Sequence, residues 1–95
     1  MTVEEKKRNE KLTLYVSGRI DASTAPELEQ FVSERTEGLT ELTLDLKDVM
    51  YISSAGLRVL LGTYKTMDSQ KGKLVLLNVN EEVEDTLYIT GFLEF

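Results

Sequence analysis

The stretch of this sequence best suited to chemistry is Tyr51 to Leu61 (YISSAGLRVLL), where two serine hydroxyls, Ser53 and Ser54, precede a run of leucine and valine. Serine is a preferred N-cap residue, so one of the pair could serve only to begin a helix. A serine at a helix N-terminus can also accept a phosphate, because free N–H groups and the helix dipole favour an anion. The stretch by itself leaves both interpretations open.

The other side chains form no recognisable catalytic or metal-binding constellation. The chain has no histidine and no cysteine, which excludes a Ser-His-Asp triad, a Cys-His pair and the usual zinc sites. Its acidic cluster, Glu81, Glu82, Glu84 and Asp85, falls where a helix N-terminus favours negative charge. The sequence has neither a P-loop nor a dinucleotide-binding glycine pattern. We therefore expect a protein that is not an enzyme and that binds no metal and no cofactor.

The composition is that of one small domain, residues 1–95. Acidic residues outnumber basic ones by 17 to 11, and the resulting net charge of -6 argues against nucleic acid as a partner. Lys6-Lys7-Arg8 lies among acidic neighbours, as a solvated hairpin tip does. No signal-peptide pattern is present, and no apolar run approaches the ~20 residues needed to cross a bilayer. We expect a cytoplasmic protein that does not insert into a membrane.

Strand patterns occur in several segments. Residues 12–17 and 42–46 alternate between apolar and polar side chains, which predicts half-buried strands, and Gly18 is expected to end the first of them. Leu74 to Val79 (LVLLNV) is almost continuously apolar and predicts a strand covered on both faces. The polar segment around Val3 is expected to pair with the first of these strands as a charged edge strand.

Helix signals separate these strands. Thr24-Ala25-Pro26-Glu27 fits a capping box at the start of a helix that Gly38 is expected to end. Apolar residues at three- and four-residue spacing predict a second helix from about Ala55 to Gln70. Asn80 should cap a last helix that Gly91 ends. This alternation favours an α/β fold with a largely parallel sheet and an antiparallel N-terminal hairpin.

The serine stretch resembles the signature of STAS-domain anti-sigma factor antagonists (anti-anti-sigma factors), in which a phosphorylatable serine precedes serine or threonine, glycine and leucine. Gly18-Arg19-Ile20-Asp21, followed by Thr24-Ala25, is similar to the segment before the first helix of that family. Residues 44–49 and 73–79 are similar to its central strand and its next strand. The resemblance covers roughly Leu12 to Phe92 and follows the element order that periodicity predicts.

The resemblance implies the STAS fold, with a mixed, mostly parallel sheet of about four strands and helices packed mainly on one side. It also implies a bacterial partner switch in transcription regulation. The unphosphorylated protein binds an anti-sigma factor that is also a serine kinase, which frees the sigma factor. Phosphorylation ends this binding, and a PPM-type serine phosphatase restores it. The phosphoacceptor of the family corresponds to Ser54, and the partner-binding positions implied are Asp21, Thr24, Ser53, Ser54, Ala55, Gly56, Leu57 and Arg58.

The sequence departs from the family pattern at three points. Ser53 stands where the family often has aspartate, which makes it a possible second phosphoacceptor. Arg58 stands where glycine is common, and it could alter the docking face or neutralise a nearby phosphate. The chain ends at Phe95, where relatives usually continue through a further strand and helix. This shorter C-terminus leaves a monomer and a weak dimer both open.

Two other classes of function remain at this stage. The first is a STAS module that serves as a scaffold in a signalling complex or as a cytoplasmic subunit of a lipid-transport ATPase, because one fold supports several functions. The second is a small enzyme or nucleotide-binding protein, for which only the helix start at Ser54 offers a phosphate-binding feature.

Overall fold

Alternating and helical patterns of apolar residues become strands and helices in the predicted order. A computed structural model describes residues 1–89. Its elements are β1 (Thr2–Arg8), β2 (Lys11–Ile20), α1 (Ala25–Ser33), β3 (Glu41–Ile52), α2 (Ser54–Ser69), β4 (Lys73–Leu77) and α3 (Glu81–Ile89). The predicted end of the last helix at Gly91 lies outside the described residues.

The strands form one sheet in the order β1-β2-β3-β4. β1 is antiparallel to β2, whereas β2, β3 and β4 are mutually parallel. The tight turn between β1 and β2 places Asn9 at a φ of 57°, a left-handed conformation that asparagine tolerates. The predicted mixed and mostly parallel sheet with an N-terminal hairpin is confirmed.

The helices cover one face of this sheet. Leu12 and Leu14 of β2 and Leu42 and Leu44 of β3 are at most 2% exposed and belong to the same apolar cluster as buried residues of α1, α2 and α3. Successive strand side chains point to opposite faces. The intervening positions, such as Tyr15 at 43% exposure, therefore lie on the face away from the helices. This one-sided arrangement was also expected.

The sequence predicted that β2 ends at Gly18, and this prediction is wrong. The strand continues to Ile20, and the pairing register with β3 shifts between Gly18 and Arg19. Gly18 has a φ of +97°, a conformation that residues with a Cβ rarely adopt, so glycine here permits an irregular strand. The extension brings the loop after β2 to the carboxyl ends of the parallel strands, where β3 also ends.

α1 ends at Ser33 and not at Gly38. The side-chain amide of Gln70, at the end of α2, donates hydrogen bonds of 2.8 Å to the carbonyl oxygens of Thr36 and Leu39. These carbonyls are therefore satisfied by a distant residue instead of by further helical turns. The sequence pattern of α1 alone contains no sign of that contact.

β4 is not covered on both faces, contrary to the prediction for Leu74 to Val79. It spans only Lys73–Leu77, lies at the edge of the sheet, and leaves Leu77 44% exposed. Because the helices cover a single face, an apolar strand at the sheet edge remains half exposed. Position in the sheet, and not composition, sets its burial.

The predicted cap of α3 is confirmed. Asn80 Oδ1 accepts the backbone N–H of Val83 at 2.9 Å, and Asn80 Nδ2 donates to the carbonyl oxygen of Val49 in β3. The same side chain therefore begins α3 and joins it to the sheet.

Candidate functional site

Ser53 is the residue that caps α2. Its backbone is extended (φ -93°, ψ 176°), and its hydroxyl accepts the backbone N–H of Gly56 over 3.4 Å. The Ser53 N–H donates to the carbonyl oxygen of Ile20 at 2.8 Å, which ties the start of α2 to the end of β2. Ser53 is partly buried. Its hydroxyl caps α2, and its backbone N–H joins the start of that helix to β2.

Ser54 is the first residue of α2 and is exposed. Within residues 1–89 its hydroxyl has no hydrogen-bond partner. The two adjacent serines are thus in different situations, because one hydroxyl holds the helix start and the other faces solvent. An accessible hydroxyl beside free helix N–H groups is a suitable place to add an anion.

Gly56 allows the first turn of α2 to lie against the sheet. A Cβ at this position would come within 2.7 Å of both Ile20 Cγ2 and Ile52 Cγ1 and within 3.1 Å of the Ile20 carbonyl oxygen. Any side chain larger than hydrogen would therefore push the helix start away from the strand ends. Gly56 is buried, so it contributes to the site by positioning the serines.

The loop between β2 and α1 is organised by Asp21. Its Oδ1 accepts hydrogen bonds from the Ser23 hydroxyl (2.8 Å), the Ser23 N–H (3.0 Å) and the Thr24 N–H (3.3 Å). The Ser23 hydroxyl and N–H, followed by the Thr24 donors, hold the pKa of Asp21 below its ordinary value of 3.8, because these bonds favour the charged carboxylate. Asp21 is thus held as an anion in a turn that directly follows the carboxyl end of β2.

The capping box predicted at Thr24 is wrong. Thr24 precedes α1 with no side-chain bond to the helix. Its hydroxyl instead accepts the Asp21 N–H at 2.9 Å and donates to the Arg19 carbonyl oxygen at 2.8 Å. Since the turn begins at Asp21, this hydroxyl is engaged by residues before it in the chain.

The two loops are neighbours because β2 and β3 are parallel and adjacent. Ile20 pairs with Ile52 at the carboxyl ends of the strands, so Asp21 and Ser53 emerge side by side. Carboxyl ends of parallel strands are where open α/β sheets present their binding sites. The structure thereby brings the predicted site residues of the β2–α1 loop, Asp21 and Thr24, close to those that begin at Ser53.

Exposure differs among the remaining predicted positions. Arg58 is exposed, Ala55 and Leu57 are partly buried, and Leu57 packs against the core. Arg58 and Ala55 line an open cleft of about 550 Å³ between α1 and α2. The other residues lining this cleft are Ala22, Ala25, Pro26, Glu29, Gln30, Ser33 and Val59.

Sequence reasoning missed the exposed apolar residues just before the serines. Met50 is 69% exposed and Tyr51 is 37% exposed. The guanidinium of Arg19 lies 4.4 Å from the centre of the Tyr51 ring and 3.7 Å from Asp21 Oδ2. An exposed methionine beside an aromatic residue is typical of protein-binding surfaces. The Met50-Tyr51 dipeptide was visible in the sequence, but its exposure depends on the irregular pairing of β2 with β3.

The described residues lack the features of two other kinds of site. Residues 1–89 contain no cluster of three or more acidic side chains placed to hold a metal ion. Within the same residues, no helix is long and apolar enough to span a bilayer.

Comparisons with known proteins point in one direction. A family model described as the STAS domain matches residues 1–95. An anti-sigma-B factor antagonist of Bacillus subtilis is 34% identical over 91 residues, which are 96% of this chain and 84% of the relative.

Two solved structures show the same fold. A Thermotoga maritima structure described as a putative anti-sigma factor antagonist superposes with a TM-score of 0.91 at 24% identity, over 98% of this chain and 81% of that one. The phosphorylated form of the Bacillus cell fate determinant SpoIIAA superposes with a TM-score of 0.78 at 15% identity, over 95% and 84% of the two chains.

Proposed function

The chain belongs to the STAS domain family, among the anti-sigma factor antagonists, and from this premise we propose that it is a phosphorylation-controlled binding switch. In its unphosphorylated form it binds an anti-sigma factor that is a serine kinase, and the bound sigma factor is released. Phosphorylation of Ser54 ends this binding. The protein catalyses no reaction itself and acts in the cytoplasm of a bacterium as a monomer or weak dimer.

The observation that carries this proposal is the different situation of the two serines. The Ser54 hydroxyl is exposed and unpartnered within residues 1–89, whereas the Ser53 hydroxyl is engaged by Gly56. A kinase can therefore reach Ser54 Oγ without breaking the cap of α2. In the transfer, Ser54 Oγ bonds to the γ-phosphorus of ATP and loses its proton. The bond from that phosphorus to the β–γ bridging oxygen breaks, and ADP leaves.

The phosphate would change the surface and leave the fold intact. It adds about -1.5 to -2 charges at neutral pH, and the N-terminus of a helix tolerates them. α2 is held in place independently by the Ser53 backbone bond to Ile20 and by the close contact at Gly56. A rigid helix start therefore presents either a neutral hydroxyl or a dianion to the partner. Desolvating that dianion in an interface, or placing it near partner carboxylates, opposes docking.

The proposed docking surface comprises the β2–α1 loop and the first turn of α2. Its members are Asp21, Thr24, Ser53, Ser54, Ala55, Leu57 and Arg58, with Gly56 beneath them. We add Met50 and Tyr51, because large exposed apolar side chains supply much of the binding free energy in protein interfaces. The phosphoryl group would be removed by a PPM-type serine phosphatase, which resets the switch.

Phosphorylation and binding assays with purified proteins test the proposal. The chain is incubated with ATP and the anti-sigma factor kinase of its own organism, and the modified residue is located by mass spectrometry. We expect one phosphate on Ser54, no labelling of Ser54→Ala, and a phosphate still on Ser54 in the matched control Ser53→Ala. Stable labelling of Ser54→Ala would assign the phosphate to Ser53 instead.

Binding provides the second half of the test. Calorimetry should detect a complex of the kinase with the unphosphorylated chain and a much weaker one with the phosphorylated chain. Equal affinity for the two forms would contradict the switch. Co-purification from the native cell with a lipid transporter, and with no kinase or sigma factor, would favour the alternative function of a transporter subunit.

A further inference from the structure

Arg58 lies one helical turn after Ser54, and both side chains are exposed. Residues four apart on a helix are neighbours on its surface. Because helical side chains lean toward the N-terminus, a long side chain at position 58 extends over the turn that begins at Ser54. A guanidinium at this place can therefore reach a group attached to the Ser54 hydroxyl.

Arg58 has no hydrogen bond and no ion pair in residues 1–89. Two other arginines of the chain are held in place. Arg35 donates to Glu5 at 2.8 Å and to the Phe31 carbonyl oxygen at 2.9 Å, and Arg19 stacks on Tyr51. The difference leaves the cation beside Ser54 available for an anion.

The charged surroundings do not already neutralise Arg58. Glu29 of α1 lines the same cleft, but no carboxylate oxygen of the described residues lies within ion-pair distance of the Arg58 guanidinium. On the β2–α1 side, Asp21 is already occupied by Arg19 at 3.7 Å and by the donors of Ser23 and Thr24. A phosphate on Ser54 would bring a more highly charged partner than either carboxylate, one helical turn from Arg58.

We propose that Arg58 is the counter-ion of phosphorylated Ser54, an inference that rests on the proposed phosphorylation of that serine. In the unphosphorylated chain the guanidinium extends along the cleft between α1 and α2, where it can receive a carboxylate of the partner. In the phosphorylated chain it turns back to the phosphate and is withdrawn from that surface. Phosphorylation therefore adds an anion and removes a cation in one step, which enlarges the change in charge that the partner meets.

A titration of the phosphate itself tests this pairing. Phosphoserine is incorporated at position 54 during synthesis of the full chain, and the second pKa of the phosphate is followed by phosphorus NMR. A nearby guanidinium favours the dianion and lowers this pKa, so Arg58→Gln should raise it by roughly half a unit, as expected for an exposed pair four residues apart. The difference should largely disappear at about 1 M salt, where the screening length is ~3 Å.

Lys65→Gln is the matched control, because it also removes one exposed positive charge from α2. Position 65 lies about 16 Å along the helix axis from Ser54, beyond the screening length at physiological salt, so its phosphate should titrate as in the unsubstituted chain. Equal pKa values for the Arg58→Gln and unsubstituted chains, or equal increases in both variants, would overturn the pairing. A kinase that fails to modify Ser54 would refute the proposed function and leave this titration interpretable.

Discussion

Replacing Gly56 by alanine should destabilise the domain, although alanine is the better helix former. The added Cβ would lie 2.7 Å from Ile20 Cγ2 and Ile52 Cγ1, and 3.1 Å from the Ile20 carbonyl oxygen. Both isoleucines are at most 2% exposed, and their branched side chains are stiff about the first torsion. They cannot move aside without disturbing the core, so the start of α2 must shift.

The magnitude follows from two opposing contributions. Overpacking of a core costs about 1–3 kcal/mol, whereas exchanging glycine for alanine in a helix gains at most about 1 kcal/mol. We expect a net loss of about 1–2 kcal/mol in the free energy of unfolding. At roughly 4–8 °C per kcal/mol for a domain of this size, Tm should fall by about 4–16 °C. Urea and thermal unfolding followed by circular dichroism measure both quantities.

Gly62→Ala provides the matched control in the same helix. Gly62 is exposed, and a Cβ there meets no atom within 4 Å, so only the gain in helix propensity remains. This variant should be more stable than the unsubstituted chain by about 0.5–1 kcal/mol. The reasoning is refuted if Gly56→Ala is as stable as Gly62→Ala, since the close contact would then carry no cost.

The further predictions concern the caps and the loop. Ser53→Ala should lower the free energy of unfolding by about 0.5–1 kcal/mol, because the capping bond is lost but is long at 3.4 Å. Ser54→Ala should change stability by no more than about 0.5 kcal/mol, and equal losses in urea unfolding would contradict the assignment of the cap. Ser23→Ala should raise the pKa of Asp21 toward 3.8, observed by carboxyl-carbon NMR; an unchanged pKa would mean that the Ser23 hydroxyl is not the main cause. The Asp21 contribution to stability is present above pH 3.8 and is lost as pH falls through the lowered folded-state pKa. Asn80→Ala should cost about 1–2 kcal/mol in urea unfolding, and a cost near zero would show that the link to Val83 and Val49 contributes little.

The element order was predictable because its signals are local, whereas the packing of the helices on one face of the sheet was expected only from the resemblance to the STAS family. Alternation in residues 12–17 and 42–46 reports the two-residue period of a strand. The three- and four-residue spacing of the apolar side chains from Leu57 to Met67 likewise indicates a helix with one buried face. The position of the serines after a strand and before a helix followed from these periods and from the resemblance to the STAS family.

Contacts between distant residues decided what the sequence left open. Both serines are good caps in isolation, and only the paired strand ends, with Ile20 accepting the Ser53 N–H, assign the cap to Ser53 and expose Ser54. The capping box at Thr24 failed for a related reason, since its hydroxyl is engaged by the Arg19 and Asp21 backbone.

Burial and close approach were likewise beyond the reach of local patterns. The apolar strand β4 is half exposed because it lies at the sheet edge, which depends on the order of all four strands. Gly56 is required by Ile20, a residue far away in the chain that the parallel pairing of β2 and β3 brings beneath the helix start. The sequence by itself therefore determined which segments become strands and helices and which hydroxyls stand at their junction. Tertiary structure alone decided which serine is held at the strand ends and which one is exposed, because that depends on partners supplied by other parts of the fold.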